Sequence, residues 1–187
     1  MFQLIQQFHS IYPLSAELQQ HLLNTVKTKK IARRGLLLKF GQICGNIYFV
    51  EKGLFRCSYM KKRKEVSSWF MKEGDLIVSV ESFFSQSPGY EKIEALEEAE
   101  VHYISYEELQ DIYHQYKDFN FIGRVLTERY YTMSEQRAHS LRMQKASDRY
   151  RYMIDHDSDL IRRVPAVYIA SYLGITPETL SRIKGRK

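Results

Sequence analysis

The side chains of this sequence best placed to do chemistry on a partner lie near its C-terminal end, and that chemistry is recognition rather than catalysis. Residues 165–187 read as a helix-turn-helix. Two helices crossing steeply need a small residue at the crossing, and Ala170 stands there. Their turn needs a residue that tolerates φ > 0, and Gly174 follows four positions later. Ile169, Leu173, Ile175, Leu180 and Ile183 have the spacing to face a shared core. Thr176 is set to cap the second helix, with Pro177 at its first position and Glu178 against the positive end of its dipole. The alternative for such a stretch is a helical hairpin that only packs against a neighbour. Charge favours a nucleic-acid partner. The chain has a formal net charge of +6, residues 124–187 hold 13 basic and 7 acidic side chains, and residues 1–123 hold 15 of each. All of the excess positive charge therefore accompanies the helix pair. The run Lys61-Lys62-Arg63-Lys64 reads instead as a solvated hairpin tip.

Elsewhere the residue types that do chemistry lack a usable spacing. Cys44 and Cys57 stand thirteen apart with no CxxC pair and no neighbouring histidine, too few ligands for an iron–sulfur cluster or a structural zinc. They are expected to be reduced and buried. His9, His21, His102, His114, His139 and His156 are scattered and expected at the surface or at caps, which leaves no axial pair for haem. The segment that reads as strands has no histidine before His102, so the multi-histidine site of a cupin-like metalloenzyme cannot be built. No Ser/His/Asp or Cys/His constellation can be placed either. The expectation is a protein that is not an enzyme and that holds no metal and no cofactor. The first residues lack a basic stretch followed by an apolar run, and no segment reaches the ~18–20 apolar residues of a membrane span, so a cytoplasmic location is expected.

The elements that must carry the helix pair follow from periodicity. Leu4, Ile5, Phe8, Ile11 and Tyr12 share one helical face; after Pro13, Leu14, Leu18, Leu22, Leu23 and Val26 repeat it, with Ser15 as cap. Between about residues 31 and 104 the pattern becomes short runs of aromatic and β-branched residues punctuated by Gly35, Gly41, Gly45, Gly53, Gly74 and Gly89. Phe55, Cys57 and Tyr59 alternate with Arg56 and Ser58, the mark of a strand with one buried and one wetter face. Many such strands argue for an antiparallel barrel or sandwich. Helix returns at about 106–116, then over about 118–142 with Ile122, Leu126, Tyr130, Met133, Arg137 and Leu141 on one stripe. A long helix with so narrow a stripe is expected to meet a copy of itself; packing on its own barrel is the alternative. A further helix spans 145–156, and Asp157-Ser158-Asp159 reads as a polar break.

This order resembles the CRP/FNR family of bacterial transcription regulators. The resemblance rests on Tyr48-Phe49-Val50-Glu51-Lys52-Gly53-Leu54-Phe55-Arg56, Glu73-Gly74-Asp75-Leu76-Ile77, Ile93-Glu94-Ala95-Leu96-Glu97 and the helix-turn-helix. It implies an α+β fold: an antiparallel β-roll of jelly-roll (double-stranded β-helix) type with N-terminal helices, a long dimerisation helix and a small C-terminal helix-turn-helix domain. Residues 1–142 would form the cyclic-nucleotide-binding-like sensor with its dimerisation helix, and 143–187 the DNA-binding domain. The resemblance further implies a homodimer that places two recognition helices in successive major grooves of double-stranded DNA, about 34 Å apart. By position in the family, Glu178 would accept from a cytosine amine and Arg182 would fork onto guanine, with Ser181 between them. Thr179, Lys184, Arg186 and Lys187 would meet phosphates, and Thr176 and Pro177 would open the helix at the DNA. Where the family often carries a basic residue this chain has Pro177.

The cyclic-AMP binders of the family cradle the nucleotide phosphate with a Gly-Glu-Leu turn and an Arg-Ser-Ala segment. Here the matching stretches, 76–84 and 87–92, have neither the turn nor an arginine; Lys92 is the nearest cation, while Glu81, Glu91 and Glu94 would repel an anion. Tight cyclic-AMP binding is therefore not expected. Any small-molecule effector is expected near Ser79, Ser82, Tyr90 and Ser134. The function so implied is a dimeric transcription regulator whose roll senses an unidentified effector or none. The alternative is an effector-binding or protein-interaction module with a non-functional helix-turn-helix.

Overall fold

The computed structural model describes residues 1–185. Two helices come first, α1 (Phe2–Ile11) and α2 (Ala16–Thr25). The Ser15 hydroxyl accepts from the Leu18 amide at 3.1 Å, satisfying one of the free N–H groups at the start of α2. Eight strands follow: β1 (Lys27–Ile31), β2 (Leu36–Leu38), β3 (Asn46–Lys52), β4 (Phe55–Lys61), β5 (Lys64–Met71), β6 (Leu76–Ile77), β7 (Glu91–Ala95) and β8 (Ala99–Ser105), with a short helix α3 (Val80–Ser85) between β6 and β7. They make two four-stranded sheets, ordered β1-β8-β3-β6 and β2-β7-β4-β5, antiparallel at every pairing. Val50, Phe55, Ile77, Ile93 and Val101 from the two sheets are fully enclosed in the core. The expected antiparallel roll is present.

The β4–β5 hairpin turns through Lys62 and Arg63, both with positive φ, 47° and 64°. That two-residue geometry matches the strands' right-handed twist. Gly53 has the tightest turn requirement. Its φ is +102°, and a Cβ there would stand 2.6 Å from the Ala99 Cβ. Its N–H donates to Glu73 Oε1 at 2.8 Å.

The strands give way to α4 (Tyr106–Gln115), α5 (Lys117–Met143), α6 (Ala146–His156), α7 (Ser158–Arg163), α8 (Ala166–Tyr172) and α9 (Pro177–Lys184). Ser105 and Glu108 cap α4 reciprocally. The polar run Asp157-Ser158-Asp159 is the expected break: α6 ends at His156, Asp157 is non-helical, and α7 starts at Ser158, with Asp159 in its first turn facing Lys72 of the roll at 3.0 Å. On α5 the first half of the stripe takes the alternative and packs on the chain's own roll. Ile122 and Leu126 are buried against this chain's own roll, Tyr130 accepts from the Leu76 amide at 2.8 Å, and Arg137 donates to the Tyr172 carbonyl at 2.8 Å. Along the C-terminal half of α5, Tyr131, Met133, Leu141 and Met143 remain exposed.

A second hydrophobic cluster joins α6–α9 to the outside of the β4–β5 sheet. Tyr150, Met153, Leu160, Val164, Ile169, Ala170, Leu173 and Leu180 pack with Leu54 and Phe70. This corrects the reading of β4 as half wet: Arg56 and Ser58 are 1% and 0% exposed, because Tyr168 of α8 lies over Arg56 and Glu65 of β5 accepts from both. No single strand could reveal this, since the covering helix is more than a hundred residues away. His102 is likewise buried rather than superficial, with Thr28 Oγ1 at 2.9 Å from Nδ1 and Glu51 Oε2 at 3.0 Å from Nε2. Cys44 and Cys57 are free and buried as expected, and burial pushes both thiols up.

Gly53→Ala must either clash with Ala99 or hold alanine at a strained φ. It is expected to destabilise the fold by about 1–3 kcal/mol, read as a lower urea midpoint at unchanged slope. An unchanged midpoint would show that the turn relaxes freely.

Candidate functional site: a cavity under the long helix and an exposed C-terminal helix face

A cavity of about 450 Å³ opens between the roll and α5. Its deep walls are core residues of both, among them Phe49, Met71, Ile104 and Leu126, and its polar edge is formed by Glu81, Tyr90, Glu91, Tyr130, Tyr131 and Ser134. Trp69 lines it from β5. Among the described residues, no lysine or arginine lines it. Tyr130, whose hydroxyl is buried under Leu76, is pushed up to about 12 by burial and stays neutral.

Two of the four residues expected at an effector site, Tyr90 and Ser134, line this cavity. Ser79 and Ser82 are turned into the protein. The Ser79 hydroxyl donates to Glu91 Oε2 at 2.7 Å, while Ser82 Oγ accepts from the Cys44 amide at 2.9 Å and donates to the Ser87 carbonyl at 2.6 Å. Lys92 also turns away, paired with Glu65 at 2.6 Å and Glu94 at 3.1 Å. The segment corresponding to a phosphate cradle thus carries carboxylates toward the cavity and directs its one cation elsewhere.

At the C-terminal end, α8 and α9 are joined through Gly174, whose φ is +69°. Ile169, Ala170, Leu173 and Leu180 are buried between them. Thr176 Oγ1 accepts from the Thr179 amide at 3.3 Å and Pro177 opens α9. Pro177, Glu178, Ser181, Arg182 and Lys184 are exposed on α9, and Thr179 is half-buried. Arg182 Nη2 donates to Thr179 Oγ1 at 3.2 Å. The Thr176 hydroxyl, through its hydrogen bond, holds the Glu178 carboxyl below the usual carboxylate range. Pro177, Glu178, Ser181, Arg182 and Lys184 are thus open to solvent while Thr179 is partly covered; Arg186 and Lys187 lie outside the described residues.

The residues that hold this helix pair against the roll were not foreseen. Arg163 donates to Glu73 through Nη1 and Nη2, both at 2.9 Å, and to Glu97 through Nε and Nη2 at 3.0 and 2.8 Å. Lys72 bridges to Asp159 at 3.0 Å and Asp157 at 3.5 Å. The Ser67 amide donates to Ser171 Oγ at 3.0 Å, and the Arg56 guanidinium lies 3.9 Å from the centre of the Tyr168 ring. Arg149 donates to the Leu173 carbonyl, and Arg137 stacks 3.6 Å over the Tyr172 ring. By sequence Arg149 and Arg163 count only as excess positive charge. Both are internal ties, a distinction that net charge cannot make.

Residues 28–116 match the family model of the cyclic nucleotide-binding domain. Solved structures of bacterial regulators share the fold over most of the chain. The c-di-GMP-responsive global regulator CLP of Xanthomonas campestris aligns at 17% identity with a TM-score of 0.71, covering 92% of this chain and 91% of its own. FixK2 of Bradyrhizobium japonicum aligns at 17% identity with a TM-score of 0.73, covering 87% and 84%. A protein described as a transcriptional regulator of the crp/fnr family, from Eubacterium rectale, aligns at 13% identity with a TM-score of 0.72, covering 91% and 82%. No curated protein matches the chain by sequence. The chain thus has a cyclic-nucleotide-binding-type roll followed by helices, in the architecture of CRP/FNR transcription regulators. Among the described residues, no helix is long and apolar enough to cross a membrane.

Two expectations follow. Titration calorimetry with cyclic AMP should give no binding at micromolar concentrations, since its phosphate would meet Glu81 and Glu91 with no lining cation. Arg163 holds the Glu73 carboxyl down to about 2, below its ordinary 4.5. A lowered folded pKa contributes stability above 4.5 that is lost as pH falls toward 2. In urea unfolding followed against pH, Glu73→Gln should therefore have a lower midpoint at neutral pH and a shallower decline across that window. Parallel curves for the two proteins would show that the pair contributes nothing.

Proposed function

We propose that this chain is a homodimeric, sequence-specific DNA-binding transcription regulator of CRP/FNR type, with α8 and α9 as its helix-turn-helix. One observation carries the reading: α9 buries Leu180 against α8 yet keeps Glu178, Ser181 and Arg182 open to solvent on the basic third of the chain. A guanidinium at Arg182, steadied by Thr179, has the fork geometry for guanine O6 and N7. Glu178, four residues earlier on the same face, can accept from a cytosine amine. Lys184 and the half-buried Thr179 suit phosphates, which set affinity and register. The exposed Tyr131, Met133, Leu141 and Met143 on α5 support dimerisation through the C-terminal half of that helix. The resulting two-fold symmetry would set the two α9 helices about 34 Å apart. The cavity beside α5 is the site at which a small-molecule effector would act.

The ties between α8 and the roll favour a second reading, in which the helix pair is a docked structural piece of an interaction module. Selection from a random duplex library at near-physiological salt separates the two. A regulator recovers a two-fold symmetric motif with half-sites about one turn apart; an interaction module recovers nothing above background. On the recovered site, Arg182→Ala should lose about 5- to 150-fold in affinity and relax preference at one position. Lys184→Ala should weaken all sequences alike and reduce the salt slope by about one. Loss of affinity in Arg182→Ala without any change in base preference would remove its assigned role.

A further inference from the structure

We propose that the cavity under α5 accepts a small hydrophobic organic cation, an aromatic or alkyl ammonium, rather than a nucleotide or another anion. The proposal rests on the cavity being the effector site and names the chemistry of what would fill it.

The cavity wall is mostly apolar, so most of its occupant's surface must be apolar too. Its charged groups are of one sign. Glu81 stands at the start of α3 and Glu91 at the start of β7, and both line the cavity. Glu91 is held in place by hydrogen bonds from Ser79 at 2.7 Å and Ser68 at 3.3 Å. The cations that might neutralise these carboxylates are engaged elsewhere. Lys92 is paired with Glu65 and Glu94, and Arg137, which lies 5.6 Å from the Trp69 ring centre, gives its guanidinium to the carbonyl and ring of Tyr172. His102, also in the lining, is lowered by burial, so it is neutral at pH 7.

Aromatic faces complete the arrangement. Trp69, Phe84, Tyr90 and Tyr131 all line the cavity, and Tyr90 stands next to Glu91 in sequence. Aromatic walls with carboxylates at one edge attract a weakly hydrated cation through ring quadrupoles and direct charge. The same walls would impose like-charge repulsion on a phosphate or carboxylate that must also shed its water. An uncharged ligand of the same shape would gain the apolar contacts and none of the electrostatic ones.

Trp69 is the one tryptophan of the chain, so its fluorescence reports on this cavity. The full chain is titrated with benzyltrimethylammonium and with neopentylbenzene, its neutral carbon isostere. The ammonium should bind about ten-fold tighter than the isostere. In the Glu81→Gln/Glu91→Gln double variant that preference should fall to within about two-fold while the isostere's affinity holds. Glu81→Gln alone, at an exposed position, should remove part of the preference even if the double variant unfolds. Equal or tighter binding of the neutral isostere overturns the cation assignment but leaves the cavity as a ligand site, as does a preference that survives both substitutions. Failure of both probes to perturb Trp69 overturns the cation assignment and the effector-site reading together.

Discussion

A guanidinium held between two carboxylates ties the roll to the helices that follow it. Arg163 at the end of α7 reaches both Glu73, in the turn after β5, and Glu97, in the turn before β8. Glu73 in turn accepts from the Gly53 amide. One residue therefore closes a loop through three turns of the roll that are distant in sequence. Bidentate pairs of this kind are strong in proportion to how well their geometry is fixed. Here the geometry is fixed by backbone: Gly53 can occupy its left-handed conformation against Ala99 only because it has no Cβ. The hydrophobic contacts of Leu54 and Phe70 with α6–α9 form around that tie. Burial supplies the bulk of the attachment, while the charged groups fix its register.

That attachment sets the surroundings of the two candidate sites. On one side, α8 is held against β5 through Ser171 and over Arg56 through Tyr168, so α9 projects its polar residues outward. On the other, Trp69 of β5 touches the cavity, and Arg137 lies over Trp69 and over Tyr172 at the end of α8. Arg137 thus stands between one residue of the cavity wall and one of the helix pair, without lining the cavity itself. A ligand that shifted Trp69 would act on Arg137 directly, which gives occupancy a short physical route to α8. The cavity's chemistry differs from that of a nucleotide cradle for an equally local reason. Phosphate burial needs a cation and free amides at one spot, and here Glu81 and Glu91 occupy that spot while Lys92 is drawn to Glu65.

Much of this was legible in the sequence wherever a local rule sufficed. Ser15 and Thr176 cap helices, Gly174 takes positive φ, and Lys62-Arg63 turns a hairpin, because caps and turns depend on a few adjacent residues. The outward face of α9 followed from its helical period alone. The failures have one physical pattern. Arg56 and Ser58 read as wet and His102 as superficial, because each is covered or engaged by residues on other elements of the chain. Ser79 and Ser82 had the right chain position for a ligand site, but their hydroxyls are satisfied inside the protein.

Periodicity and turn chemistry by themselves determined the run of helices, then short antiparallel strands, then helices, and the apolar seam between α8 and α9. Those properties depend on neighbours three or four residues apart, or on which residue types are present at all. Only the tertiary structure decided which arginines are ties and which are free, which serines face the cavity, and where α5 spends its apolar stripe. Burial and pairing are properties of surfaces brought together from distant parts of the chain, and side chains of the same type differ in role according to the surface they meet.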